Sequence, residues 1–153
     1  MRILAIDYGR ARLGLAMSDE DEVPASPLPP HACRSTRSAD LKFLQSLVRR
    51  EKIGAIVVGH PLNMDGSVGE MAREAEEFAQ ELAESTRLPV QLVDERGTTL
   101  EADRVLREGR VAAKRRRSLR DGLAAVQILQ SHLDQRSARS ESVSRETNDR
   151  DSV

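Results

Sequence analysis

The sequence predicts an α/β domain, a mixed five-stranded sheet flanked by helices. Three observations carry that expectation. A short apolar run near residue 1 ends in a turn and is answered by a second apolar run, the pattern of a hairpin. Segments with helical spacing then alternate with continuous apolar runs of strand length, as parallel strands joined by crossover helices do. A last amphipathic segment precedes a polar tail.

Taken in order, Met1 to Asp7 is a strand ending in a carboxylate, Tyr8, Gly9 and Arg10 make the turn, and Arg12 to Met17 is the hairpin partner. Val23 to Cys33 carries Pro24, Pro27, Pro29 and Pro30. A third strand there is an edge strand or gives way to a loop, because proline cannot donate to a sheet ladder. Ser38 to Glu51 spaces Leu41, Leu44, Leu47 and Val48 as one helical face, and Ile53 to Gly59 is the continuous apolar run of a buried central strand. Gly59 to Gly66 has loop chemistry, and Ser67 with Glu70 has capping-box spacing for a long helix reaching about Ser85. Leu88 to Val93 is the next strand and runs into Asp94, Glu95, Arg96 and Gly97. Thr98 and Glu101 offer a second capping box, with a helix to about Gly109. Ser118 starts a final helix whose apolar set is Leu119, Leu123, Ala124, Val126, Ile128, Leu129 and Leu133. One domain over residues 1–135 is expected. The segment 136–153, rich in Ser, Arg, Glu and Asp and almost devoid of large apolar residues, has the composition of a disordered tail.

Composition narrows the function classes. Cys33 is the single cysteine and has no disulfide partner in the chain, and no stretch approaches the roughly 18 apolar residues of a membrane span, so a cytoplasmic protein without membrane attachment is expected. The net charge of −1 hides a segregation. Arg104 to Arg120 is basic against the single acid Glu108, while Glu70 to Glu84 is strongly acidic, which can give a neutral protein a basic face for nucleic acid. Aromatic residues are confined to Tyr8, Phe43 and Phe78, too few for a platform on which bases stack. Contact with the phosphate backbone is the better match.

Three carboxylate positions fall where a sheet-based site draws its groups: Asp7 at the end of the first strand, Asp94 and Glu95 at the end of another, and Asp121 in the first turn of the last helix. Phosphodiester hydrolysis with two metal ions needs several converging acids, because they must hold hard divalent cations about 4 Å apart. Each acid also has a local reading. Asp7 could brace the turn, Asp94 and Glu95 could be solvated strand-end charges, and Asp121 could cap the helix begun at Ser118. Asn63 to Ser67 leads to a helix N-terminus whose amides could hold a phosphate or simply be capped. Lys114, Arg115, Arg116 and Arg117 could track a nucleic-acid backbone or form a solvated basic loop. Arg96 could clamp a phosphate or pair with a carboxylate.

The run Ala5-Ile6-Asp7-Tyr8-Gly9 with Gly14, the segment Val58 to Ser67, Asp94 to Thr99, and Asp121 to Ala125 followed by Ile128 to Asp134 together resemble the motif set of the YqgF (RuvX-type) family. The four ordered motifs span Met1 to about Asp134. The resemblance implies the RNase H-like fold of RuvC-type resolvases, with Asp7, Glu95 and Asp121 as catalytic acids and ligands of Mg²⁺ or Mn²⁺, and with Asp94 as the alternative to Glu95. Members are described as nucleases maturing the 5′ end of pre-16S rRNA and as Holliday junction resolvases. The implied partner is therefore a structured rRNA precursor or branched DNA, bound by a monomer or a homodimer. A non-catalytic nucleic-acid-binding module on the same fold is the alternative. Gly97 departs from the large apolar residue usual after the Asp-Glu-Arg motif.

Overall fold

The computed structural model describes residues 1–19, 26–33, 36–95 and 122–136. Its strands are β1 (Arg2–Asp7), β2 (Arg12–Met17), β3 (Ser26–Ala32), β4 (Ile53–His60) and β5 (Val90–Asp94), with helices α1 (Arg37–Glu51) and α2 (Glu70–Thr86) between them. A further helix, α3, covers 122–136. The strands form one mixed sheet in the order β3-β2-β1-β4-β5. β1 is antiparallel to β2 and parallel to β4, and β4 is parallel to β5. Among the described residues no helix is long and apolar enough to cross a membrane.

Central β1 is buried on both faces, with Ile3, Leu4, Ala5 and Ile6 all at 0 % exposure. Successive residues of a strand point to opposite faces, so β1 serves two cores. Leu4 and Ile6 join Leu13, Leu15, Ile56 and Val58 under the apolar side chains of α1 and α2, notably Leu44, Phe78 and Leu82. Ile3 and Ala5 join Ala16, Val57 and Val93 under Ala125, Ile128, Leu129 and Leu133 of α3. The sheet is therefore covered on both sides, as its parallel half β1-β4-β5 requires. That alternation later decides which acids meet.

The proline-rich third strand lies at the sheet edge, where Pro27, Pro29 and Pro30 need no outer hydrogen-bond partner. Its pairing with β2 slips between Leu13 and Leu15. Several boundaries differ from the sequence expectation for local reasons. Helix α1 is capped by Thr36, whose Oγ1 accepts from the Ala39 amide at 3.2 Å, so it starts one residue ahead of Ser38. The expected capping box at Ser67 does not form. Ser67 gives its amide and hydroxyl to the Asp65 carboxylate at 2.9 and 2.6 Å, and Gly69 becomes the N-cap of α2. β5 begins at Val90 rather than Leu88, because Leu88 N–H donates to Thr86 Oγ1 and Pro89 has no N–H, only a carbonyl that accepts from Ile56. The expected helix from Thr98 to Gly109 lies outside the described residues, as does the expected tail beyond Arg136.

One buried polar contact escaped the sequence reading. His31 Nε2 lies 3.0 Å from Asp40 Oδ1, and the imidazole stacks on Phe43 with ring centroids 4.0 Å apart. This contact ties edge strand β3 to α1.

Candidate active site at the carboxyl ends of the parallel strands

Because β1, β4 and β5 run in the same direction, their carboxyl ends share one edge of the sheet, and they end in Asp7, His60 and Asp94. Side-chain alternation then sorts these groups by face. Asp7 has the parity of Ile3 and Ala5, and Glu95 has the parity of Val93, so both belong to the face covered by α3. Asp94 has the opposite parity and is exposed. The amide of Glu95 donates to the His60 carbonyl at 3.4 Å, which fixes the residue at the mouth of β5.

The carboxyl of Glu95 shares a hydrogen bond with Asp7, and its pKa is raised from 4.5 to about 8. Burial is the main cause, followed by the charge of Asp7, the hydrogen bond to Asp7 and the charge of Asp94. Burial and the neighbouring charges thus favour the protonated form of Glu95 beside Asp7 in the metal-free pair. Of the two adjacent acids, the structure brings Glu95 to Asp7 and leaves Asp94 at the periphery.

Gly59, just before the end of β4, makes the room for this contact. A Cβ there would run into Glu95 Oε2 and would lie 2.6 Å from Ile128 Cδ1. A Gly59→Ala protein is therefore expected to push Glu95 away from Asp7 and to lose about 1–3 kcal/mol of stability. Urea denaturation checks the second effect, and a fall of the Glu95 pKa toward 4.5 in a side-chain NMR titration checks the first.

The remaining sequence candidates divide. Asn63 sits in the loop between β4 and α2, where its Nδ2 donates to Ser67 Oγ at 2.9 Å and its carbonyl accepts from Gly66 N–H at 2.8 Å. Its amide braces the loop. At the end of β4, and not among those candidates, His60 has its Nε2 2.8 Å from Glu76 Oε1, on the face opposite Glu95. Asp121, Arg96, Lys114, Arg115, Arg116 and Arg117 lie outside the described residues, and the chain neighbour of Asp121, Gly122, begins the described part of α3.

Two residues near the site were not singled out from the sequence. Gly59 is one; its place between an apolar strand and a Pro-containing loop resembles an ordinary strand end. Arg10 is the other. It stands in the turn after Asp7, and a cavity of about 250 Å³ is lined by Asp7, Tyr8, Gly9, Arg10, Ala11 and Arg12. Its Nε and Nη2 reach the Glu74 carboxylate at 3.0 to 3.2 Å, and Nη2 reaches Glu70 at 3.1 Å. Those bonds raise the pKa of Arg10 and lower that of Glu74.

Oxygen donors that are anionic, partly desolvated and in mutual contact suit a hard divalent cation, since they repel one another until a positive charge or a proton intervenes. Asp7 and Glu95 meet that description. Among the described residues no group of three or more such ligands is found, and the third expected acid, Asp121, is not among them.

The chain is similar to known proteins over most of its length. A sequence profile of the RuvX family, described as Holliday junction resolvase, matches residues 1–135. A protein of Anaeromyxobacter sp. (strain Fw109-5) named "Putative pre-16S rRNA nuclease" is 49% identical over 90% of this chain and 100% of its own length. One of the same name from Pelotomaculum thermopropionicum is 45% identical over 88% of this chain and 87% of its own. Among solved structures, Thermus thermophilus RuvC matches with a TM-score of 0.56 at 16% identity, covering 90% of this chain and 97% of that one. The fowlpox virus Holliday junction resolvase matches with 0.54 at 10% identity, covering 88% and 99%. At such identities the likeness shows the fold, which is RNase H-like.

Proposed function

The chain belongs to the RuvX family, and from that membership together with the Asp7–Glu95 pair we propose that it is a cytoplasmic, divalent-metal-dependent endonuclease that processes the 5′ end of pre-16S rRNA. The contact between these two carboxyls is the observation that carries the reading. Converging carboxylates of this kind can hold the divalent cations that phosphodiester hydrolysis uses.

Asp7 and Glu95 would hold Mg²⁺ or Mn²⁺, with Asp121 as the third acid and Asp94 at the periphery. A cation bound there supplies charge stabilisation for the attacking and leaving oxygens. The chain's own groups set the conditions. Burial against α3 limits competing water, and the hydrogen bond between Asp7 and Glu95 holds both carboxyls in position before loading. Since Glu95 must give up its proton on loading, cation affinity increases as the pH is raised toward about 8. Lys114 to Arg117 and Arg96 would follow the substrate backbone.

The family description and the fold shared with RuvC also favour branched DNA as a second substrate class. Incubation with a pre-16S rRNA leader fragment and with a four-way DNA junction, in Mg²⁺, Mn²⁺ or EDTA, separates the two. Metal-dependent cutting of the leader is expected. Cutting of the junction alone moves the assignment to a resolvase, and binding without cutting under every condition leaves only a non-catalytic binding module.

A further inference from the structure

Arg10 is placed to do more than fasten a turn. It is three residues beyond Asp7 and lines the same cavity as that carboxylate, at the carboxyl end of β1, while its side chain reaches α2. The guanidinium edge formed by Nε and Nη2 is the one that accepts a two-pronged anion, and Glu74 fills it at 3.0 to 3.2 Å. Phosphate offers the same pair of oxygens.

The hold of Glu74 and Glu70 on Arg10 is open to solvent. Even with three carboxylate oxygens around it, 58% of the Arg10 side chain remains exposed, and Glu70 is exposed at 82%. The Glu70 pair, this open to water, contributes little, while Glu74, 30% exposed, supplies the two-pronged contact that a phosphate would have to displace. A polyanion, in contrast, gains by releasing counterions whenever a phosphate meets a cation. Beyond Glu70 and Glu74, α2 carries Glu77, Glu81, which pairs with Arg37, and Glu84, a surplus of acid that disfavours nucleic acid. Arg10 therefore marks the border between the face a substrate can approach and the face it cannot.

We propose that Arg10 is a phosphate-binding residue of the nucleic-acid site, held at rest by Glu74 and Glu70 and transferred to a substrate phosphate next to the cleavage position on binding. This rests on the nuclease reading above. It assigns a substrate contact to the β1–β2 turn, and it makes Glu74 a competitor that sets substrate affinity through the fraction of Arg10 available.

The test is fluorescence anisotropy of a labelled pre-16S leader fragment and a labelled four-way junction in EDTA, titrated with salt. Arg10→Ala is expected to weaken binding roughly tenfold and to lower the slope of log affinity against log salt by about one. Glu74→Gln is expected to tighten binding about threefold or more by releasing Arg10. Glu77→Gln removes the same charge from the same helix and is expected to change affinity less than about twofold, which separates release of Arg10 from general repulsion. In the Arg10→Ala, Glu74→Gln double variant the gain is expected to vanish. Should Arg10→Ala unfold, Arg10→Lys keeps the charge without the two-pronged edge, and is expected to fall between wild type and Arg10→Ala. Wild-type affinity in the folded Arg10 variants, or a Glu74→Gln gain that persists without Arg10, overturns this inference while leaving the nuclease reading intact. Failure of the wild type to bind either probe in EDTA overturns this inference, and cleavage in Mg²⁺ or Mn²⁺ decides the nuclease reading separately.

Discussion

An Asp7→Asn protein is expected to lose metal-dependent cleavage by on the order of 10³-fold, about 4 kcal/mol of transition-state stabilisation, while folding as the wild type does. The two halves of that expectation come from different parts of the structure. Asp7 closes β1, whose preceding residues are sealed into both cores, so the strand does not depend on the carboxylate for its place. Asparagine has the same shape and keeps a carbonyl oxygen that can accept from Glu95. It lacks the negative charge that a divalent cation needs. Initial rates on the leader fragment at several Mn²⁺ concentrations check the loss, and a circular-dichroism melt checks the fold. Undiminished cleavage by a well-folded Asp7→Asn protein would remove the assignment of this site.

Glu95→Gln is expected to abolish cleavage and yet to stabilise the metal-free protein in alkali. The sign follows from the raised pKa. An unfolded chain releases the Glu95 proton near pH 4.5, whereas the folded protein retains it to about pH 8. Between those values the folded state binds more protons, so wild-type stability is fully present below pH 4.5 and falls as the pH rises through 8. Glutamine cannot ionise, and that fall disappears. Near pH 9 in EDTA the variant should exceed the wild type by about 2–4 kcal/mol in urea denaturation, and near pH 4 the two should agree. Saturating Mg²⁺ should stabilise the wild type at pH 8 and leave Glu95→Gln unmoved. Parallel pH profiles for the two proteins would show that Glu95 is not the buried acid of this site.

The sequence by itself determined the described strands and helices and their order. Apolar alternation and helical spacing act over two to four residues, so the hairpin, the buried run from Ile53, the edge character of the proline-rich strand and the position of Asp7 at a strand end are all written locally. Four separated motifs also identified the family, because together they restrict the chain far more than any one does. Local chemistry misled where two partners competed for one group, as at Ser67, whose hydroxyl went to Asp65 instead of capping α2. Only the tertiary structure decided which acid joins Asp7. Alternation places Asp94 and Glu95 on opposite faces without saying which face is which, and the order β1-β4-β5 together with the docking of α3 resolves it in favour of Glu95. The same holds for the space left by Gly59 and for the pairing of Arg10 with Glu74, two residues 64 positions apart. These contacts depend on register, face and the path of the chain between distant segments, and none of those quantities is fixed by the spacing of neighbouring residues.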